Sequence, residues 1–402
     1  MNYKLAEKIL TALLAFLPVT YIYLIPGTGM VIGVILLLVV VFPLSLLLFN
    51  NSGYKYDKTH IYYLLFVLYL FIISLVNGSI GNMVMLFLIS VPFQIFITSN
   101  KNLYGSFLKY YLYLSLFFSI FLIIQAVSLF IFSYPIEGLL LAIPRVADIE
   151  SSITDEILYV RLASVFAEPS HFALYVIPSV CILLWDIVSF RFRKFALLAI
   201  STAVIVSTSG NGIILLAIVY ILFALYVGLR KVNYKSITIV ACIICVGIFI
   251  FNSEFMQGIT GSLFSDDMGY DKSEYRIKRG FMLYNDLPAF DKLIGVGWGN
   301  AEKYSRENNT QIYGKYSAEA RFDYFNSISG ILIYTGMVGF VLFVLFFMSL
   351  YRKTTNYGSK VILLVIFITL FSSSIFMAEQ WLLYLMLVYS TSHIKFSTRF
   401  KL

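Results

Sequence analysis

Apolar stretches recur along this chain, and they constrain its fold more than any other feature. A run of about 20 such residues is long enough to cross roughly 30 Å of hydrocarbon as a helix. Residues 31–48 are apolar on every face, whereas the strands of a membrane barrel alternate apolar and polar residues. With 60% of its residues hydrophobic and 12% charged, the composition excludes a soluble domain. The sequence therefore predicts an all-α, polytopic integral membrane protein, a single transmembrane domain over residues 1–402.

The apolar runs predict twelve transmembrane helices. These lie at residues 9–25, 30–49, 61–76, 80–98, 110–132, 171–190, 195–208, 211–228, 236–251, 327–350, 359–376 and 380–392. With both termini cytoplasmic, the inside segments hold 18 Lys or Arg and 3 acids, and the outside segments hold 11 Lys or Arg and 18 acids. This asymmetry follows the positive-inside rule. The net charge of +8 is therefore interpreted as an orientation signal, and no nucleic-acid partner is expected.

Two outside segments are too long to be turns, the loop 133–170 and the large loop 252–326 between spans 9 and 10. Long loops in compact proteins are usually functional, and these two hold nearly all of the outside charge. In the large loop, aromatic and apolar residues are interleaved with cations over residues 275–287. That mixture predicts a helix lying at the level of the lipid headgroups.

A dense set of polar groups opens the sixth span, with the pattern Arg161-x-x-Ser164-x-Phe166-x-Glu168-Pro169-Ser170-His171. Pro169 suits the first position of a helix, and Glu168 or Ser170 is expected to cap the free amides. The positive end of this helix faces outside, so it and Arg161 are predicted to converge on one anion. The alternative is that Arg161 simply pairs with Glu168. His171 is either a structural residue or a proton acceptor near neutral pH.

Three further constellations lie on the predicted outside. Residues 207–212, Ser-Thr-Ser-Gly-Asn-Gly, form either a tight turn or an amide nest for phosphate. Residues 293–300 contain three glycines that let the backbone approach something closely, but they lack the context of a nucleotide site. Residues 325–339 indicate a capped helix start with small residues for helix packing. The pair Cys242 and Cys245 has no second ligand pair, so no metal site is expected.

These constellations occur in the order seen in Wzy-type polymerases of O-antigen and capsular polysaccharide, and the chain also resembles the related O-antigen ligases. The residues that carry the resemblance are Arg161 to Ser170, Ser209-Gly210-Asn211-Gly212, Arg276 with Gly295-Val296-Gly297-x-Gly299-Asn300, and Asn326 with Gly336-Met337-Val338-Gly339. The twelve spans and the large outside loop between spans 9 and 10 match as well, so the resemblance covers most of the chain. Many members have His-Asn where this chain has Phe325-Asn326, so the histidine that could act as a base is missing here.

The resemblance implies a metal-independent, inverting glycosyltransferase without a cofactor in the bacterial cytoplasmic (inner) membrane. The donor is a growing glycan on undecaprenyl pyrophosphate, and the acceptor is a single lipid-linked repeat unit. Transfer occurs on the outer face of the membrane. Partners are therefore these lipid-linked oligosaccharides and the bilayer, and a chain-length regulator is compatible with this interpretation.

The expected site has three groups of residues. Pyrophosphate is assigned to Arg161, Arg276, Arg279, Ser170 and Asn211, catalysis to Glu168 and His171, and a substrate loop to Gly295, Gly297, Asn300 and Asn326. Glu274 and Asp323 are alternative bases. An O-antigen ligase of the same superfamily is the nearest alternative function. A lipid-linked oligosaccharide flippase or transporter is disfavoured, since it would place polar groups near the bilayer midplane rather than in outside loops.

Overall fold

The computed structural model is built from helices wherever it describes the chain. It describes residues 3–23, 31–49, 58–77, 80–98, 101–136, 138, 162–166, 168–230, 273–308, 310, 325–375 and 379–393. The helices are α1 (Tyr3–Phe16), α2 (Ile32–Leu36), α3 (Phe42–Phe49), α4 (Lys58–Val76), α5 (Ile80–Thr98), α6 (Lys101–Phe132), α7 (Pro169–Leu184), α8 (Arg193–Val206), α9 (Gly210–Arg230), α10 (Ser273–Asp286), α11 (Ala289–Ile294), α12 (Ala301–Glu307), α13 (Ser327–Lys353), α14 (Tyr357–Ser372) and α15 (Glu379–His393). A 3₁₀ segment, Leu17–Ile22, extends α1, and a π-helical turn, Leu37–Val41, joins α2 to α3.

Among the described residues, four helices are long and apolar enough to cross a membrane, namely α4, α6, α9 and α13. Shorter apolar helices lie at Ile32–Leu48, Met83–Phe96, Pro169–Leu184 and Tyr357–Ser372. The prediction of an all-α, multi-pass membrane protein is therefore confirmed. Every predicted span overlaps a helix except the ninth, 236–251, which lies outside the described residues. The count of twelve and the orientation stay predictions.

Helix α13 contacts five other helices of the bundle, namely α4, α10, α11, α14 and α15. Its Phe343 packs against Phe66 of α4, with ring centroids 5.5 Å apart, and against Trp381 of α15 at 5.7 Å. All three side chains are fully buried. Aromatic rings bury a large apolar area and interlock in fixed orientations, so these contacts hold α13 against its neighbours.

Contacts between helix ends sort into the two groups that the predicted orientation requires. At the predicted inside ends, His60 Nε2 lies 2.8 Å from the Tyr389 hydroxyl, and Ser359 donates to the Thr391 carbonyl at 2.8 Å. At the predicted outside end of α4, the Trp298 amide donates to Ser74 Oγ at 3.0 Å. These contacts agree with the alternating helix directions.

Candidate active site at the outside helix ends

The first constellation opens α7 as the sequence predicts, but the helix is not capped as expected. Pro169 occupies the first turn, and Glu168 is the residue before the helix, with extended backbone angles. The Glu168 side chain accepts no hydrogen bond from a helix amide, so the predicted cap is wrong. Instead, Ser170 Oγ donates to Glu168 Oε2 at 2.9 Å. Both side chains and His171 are partly exposed, which leaves their polar atoms near the loop side of the helix.

The segment before Glu168 is docked onto α6 by two residues of the same motif. Ser164 has a left-handed backbone, with φ of 56°, and its hydroxyl donates to the Phe118 carbonyl at 2.8 Å. The buried Phe166 ring packs against Phe118 at 5.4 Å and against Tyr175 at 5.2 Å. The serine and phenylalanine of the motif therefore act as anchors for the mouth of α7. Arg161 lies outside the described residues, and its predicted pairing or anion contact stays a prediction.

The second constellation is a capped turn that presses α9 against α7. Ser209 Oγ accepts from the Gly212 amide at 3.2 Å, and Thr208 has a φ of 56°. A Cβ atom at Gly212 would lie 2.5 Å from Ala173 Cβ in the second turn of α7. The turn interpretation is therefore confirmed, and the first two constellations are neighbours. Asn211, beside this contact, is partly exposed.

The third and fourth constellations meet through a kink that the sequence analysis missed. Helix α13 breaks at Gly336, whose backbone angles are φ 60° and ψ −168°. The Ile333 and Tyr334 carbonyls, one turn before the break, accept from the Val296 and Gly297 amides, each at 3.0 Å. A glycine inside an apolar helix is one of the usual causes of a sharp kink, but its partner segment is distant in the sequence. The glycine-rich loop thus pairs with exposed backbone of α13.

The same loop is fastened to the end of α4. Asn300 Nδ2 donates to the Asn77 carbonyl at 2.9 Å, and the Tyr69 hydroxyl donates to the Ile294 carbonyl at 2.8 Å. A Cβ atom at Gly297 would lie 3.2 Å from the Ile73 carbonyl oxygen. The close approach predicted from the glycines is therefore made to the backbone of the protein itself. Contact of Gly295, Gly297 or Asn300 with substrate stays a prediction.

A hydrogen bond between α11 and α12 closes this loop from the other side. The Tyr304 hydroxyl donates to Asp291 Oδ2 at 2.5 Å. Burial, together with the Asp291 carboxylate, raises the pKa of Tyr304 well above its ordinary value. Tyr304 therefore keeps its proton at neutral pH and stays a donor, which holds the two short helices together on either side of the glycines.

Helix α10 confirms the helix predicted at residues 275–287, with bounds Ser273–Asp286. A Cβ atom at Gly280 would lie 2.5 Å from Ser329 Cβ, so α10 rests on the first turn of α13. Arg279, beside Gly280, is only 5% exposed, whereas Met282 is 45% exposed. Arg276 is three residues before Arg279, which places both on one side of the helix. The side chain of Arg276 lies outside the described residues.

Helix α14 is the element that links the two pairs of constellations. It contacts α7 and α9 on one side, and α10 and α13 on the other. At its outside end, the Ser373 carbonyl accepts from both the amide and the hydroxyl of Ser327, at 3.0 and 2.7 Å. Helix α14 therefore contacts α7, α9 and α13, which carry the first, second and fourth constellations, and its outside end meets the start of α13.

A buried carboxylate at the start of α15 was not among the residues predicted from the sequence. Glu379, the first residue of α15, is 3% exposed and lies beside Gly33 and Thr20. Tyr384 of α15 donates to the Leu174 carbonyl of α7 at 2.9 Å. Glu379 is five residues before Tyr384, and Glu168 is six before Leu174. Each carboxylate therefore lies five or six residues before this contact, toward the start of its helix. An ionisable group at membrane depth is a candidate functional residue.

Asn326 gives a test that separates a structural role from substrate contact. Its side chain caps α13 by accepting from the Ser329 amide at 2.8 Å, and it is fully buried. We expect Asn326→Ala to lower the free energy of unfolding by about 1 kcal/mol, because the cap is lost. Asn326→Ser preserves the cap and should restore the melting temperature. If Asn326→Ser is folded but inactive, Asn326 contacts substrate as predicted; if it is active, the residue serves as a cap alone.

The described helices define a multi-pass helical membrane protein. Residues 195–344, from α8 into α13, match the family model described as O-antigen ligase (Wzy_C). Members of this family are glycosyl-transferring enzymes of surface polysaccharide biosynthesis. The match supports the O-antigen ligase/polymerase superfamily and does not distinguish the two activities. It includes the second, third and fourth constellations. A search of curated proteins finds no match.

Proposed function

We propose that this protein polymerises undecaprenyl-pyrophosphate-linked repeat units into a bacterial surface polysaccharide on the outer face of the cytoplasmic membrane. The observation that carries the proposal is that the second and fourth constellations of the matched segment lie on helices that both contact α14, while the third pairs with the kink of α13. The first constellation opens α7, which lies beside Gly212 of α9. The predicted orientation places all four at the outer surface of the membrane. A glycosyltransferase for lipid-linked substrates needs this position, where lipid and aqueous sugar meet.

The reaction is a single displacement. A hydroxyl oxygen of the acceptor sugar attacks the anomeric carbon of the donor, the bond from that carbon to the pyrophosphate oxygen breaks, and the pyrophosphate leaves with the electron pair. Attack from the opposite face inverts the configuration. Arg161 and Arg276, with Ser170, Asn211 and the α7 amides, stabilise the developing charge, an effect of about 3–4 kcal/mol for a well-placed donor. Arg279 is buried, and it lies three residues after Arg276 in α10.

The proton of the attacking hydroxyl needs an acceptor, and Glu168 is the best placed. Its carboxylate is not committed to capping α7, it is partly exposed, and the Ser170 hydroxyl orients one of its oxygens at 2.9 Å. His171, the third residue of α7, is the alternative base. Either group takes the proton as the new glycosidic bond forms, so that no metal is required for the step.

A flippase or transporter is less compatible with the distribution of charge. Among the described residues, the Asp, Glu, Lys, Arg and His side chains that are buried are His60, Arg279 and Glu379. His60 is the third residue of α4, Glu379 is the first of α15, and Arg279 lies in the amphipathic α10. None of these is in the middle of a membrane-length helix, where a transporter would bind its substrate.

Reconstitution with lipid-linked repeat units tests the proposal and separates its alternatives. The purified protein in proteoliposomes is given the repeat unit alone, or the repeat unit with a lipid A core acceptor, and the products are separated by gel electrophoresis. A polymerase extends the units into a ladder without the core acceptor. A product that forms only with the core acceptor indicates the ligase. Movement of units across the bilayer without any new glycosidic bond would contradict a transferase altogether.

A further inference from the structure

A cavity of about 430 Å³ lies at the predicted inside ends of α6 and α7, away from the site described above. Its lining consists of Lys109, Tyr113, Ser189, Phe190 and Arg191. Two of these side chains are cationic and two carry hydroxyl groups. The cavity therefore offers positive charge and hydrogen-bond donors together, which is the chemistry that recognises a phosphate group.

Asp186, the acid in the connection between α7 and α8, does not neutralise the cations of this cavity. Asp186 forms an ion pair with Arg193, with 3.4 Å between Oδ2 and Nη1. Arg193 also donates to the Leu183 and Leu184 carbonyls at 2.7 and 3.0 Å, which fixes it at the end of α7. Neither Lys109 nor Arg191 forms an ion pair with a residue in the described part of the chain. The Arg191 guanidinium lies over the Phe192 ring, 5.5 Å from its centroid, so the described residues leave the charge of both cations without a counter-ion.

The length of α6 places the cavity at the membrane interface. This helix has 32 residues, so it is about 48 Å long against a hydrocarbon thickness of roughly 30 Å. Counting about 20 residues back from Phe132 at its outside end reaches Tyr113. Tyr113 is 50% exposed and packs against Phe190, with ring centroids 4.9 Å apart. Aromatic residues of this kind concentrate where headgroups meet hydrocarbon.

One exposed face of α6 changes from charge to apolar surface as it enters the membrane. Lys109, Tyr113 and Phe117 follow each other at four-residue intervals, so they lie on one stripe of the helix. Lys109 is exposed, and Phe117 is 54% exposed. The order cation, aromatic hydroxyl, apolar ring matches the order phosphate, glycerol, acyl chain in a phospholipid.

We propose that this cavity binds the headgroup of an anionic phospholipid in the cytoplasmic leaflet. Lys109 and Arg191 contact the phosphate oxygens, Tyr113 and Ser189 donate hydrogen bonds to the headgroup, and an acyl chain lies along Phe117. Basic pockets between membrane helices on the cytoplasmic side bind anionic headgroups in this way. The site holds the connection between α7 and α8 against α6, at the end of α7 opposite to Glu168.

Lipid titration of the delipidated, full-length protein tests this site. Phosphatidylglycerol binding, followed by native mass spectrometry in detergent, should exceed phosphatidylcholine binding. We expect Lys109→Gln and Arg191→Gln each to weaken phosphatidylglycerol binding about fivefold, and the double variant about 25-fold. Lys194→Gln is the matched control, since Lys194 is an exposed cation at the start of α8 that does not line the cavity. The charge-preserving pair Lys109→Arg and Arg191→Lys should bind within about twofold of the original protein.

Three outcomes would overturn the assignment. In the first, the double Gln variant still binds phosphatidylglycerol as the original protein does, and its size-exclusion profile is unchanged. In the second, Lys194→Gln loses as much phosphatidylglycerol binding as the double variant. The third is that inorganic phosphate at equal concentration displaces the lipid completely, which would assign the cavity to free phosphate. Each of these results is independent of the glycosyl transfer proposed at the outside ends.

Discussion

Alanine at Arg161 or Arg276 is expected to abolish polymer synthesis while the protein still inserts into the membrane. In the proposed mechanism, both guanidinium groups stabilise the charge that develops on the departing pyrophosphate. Removal of one such donor typically lowers the rate by about 10²- to 10³-fold. Arg276 is a residue of α10, three positions before the buried Arg279. The measurement is polymer length and yield in reconstituted vesicles.

Lysine at either position should rescue little of this activity. Lys keeps the positive charge but presents it as a point, whereas the planar guanidinium of Arg binds two phosphate oxygens at once. If charge alone mattered, the Lys variants would approach the original rate. A rate for Lys close to that for Ala therefore supports bidentate contact with the pyrophosphate.

Arg306→Ala is the matched control for both arginines. Arg306 lies in the last turn of α12, within the same large loop, and is exposed. Its removal should leave polymer length unchanged. Normal polymer in both the Arg161→Ala and Arg276→Ala variants would remove the proposed site. Cysteines introduced at the two positions should both react with an impermeant reagent from outside, and labelling from opposite sides would contradict a shared pyrophosphate.

Gly336→Ala is expected to be strongly destabilising. Its φ of 60° disfavours any L side chain, and a Cβ atom would contact the Leu293 carbonyl oxygen and lie 2.6 Å from the Gly295 amide nitrogen. The conformational cost is about 1–2 kcal/mol, and overpacking adds about 1–3 kcal/mol. This is a large part of a stability of about 5–15 kcal/mol. We expect a melting temperature well below that of the original protein in detergent, and little polymer.

Gly105→Ala provides the control for that measurement. Gly105 lies inside α6, with nothing within 4 Å of the position that its Cβ would occupy. Alanine there should raise the stability by about 0.5–1 kcal/mol, because glycine is the more flexible residue in the unfolded chain. An unchanged melting temperature for Gly336→Ala would mean that α13 and the loop at residues 295–297 separate without cost. The two alanine variants are expected to change the melting temperature in opposite directions, so a difference in expression level cannot account for both results.

Local signals account for the parts of the structure that were predicted correctly. Apolar runs indicated the helices, the interleaved pattern at residues 275–287 indicated α10, and Ser209 and Asn326 were recognised at helix starts. Each signal depends on residues within a few positions of one another. The cap predicted from Glu168 is wrong, since its carboxylate accepts a hydrogen bond from the Ser170 hydroxyl instead. The residue types and their spacing do not show which of these two hydrogen bonds Glu168 makes.

The sequence by itself determined that the chain is an all-α membrane protein, where most of its helices lie and which polar motifs occur between them. Only the tertiary structure decided that α13 breaks at Gly336 and pairs with residues 296–297, that Ser164 anchors the start of α7 on α6, and that Glu379 is buried beside Gly33 and Thr20. Apolarity and capping are properties of neighbouring residues, so a single pass along the chain finds them. The kink, the anchor and the buried carboxylate depend on partners 37 to 359 positions away, which packing alone selects.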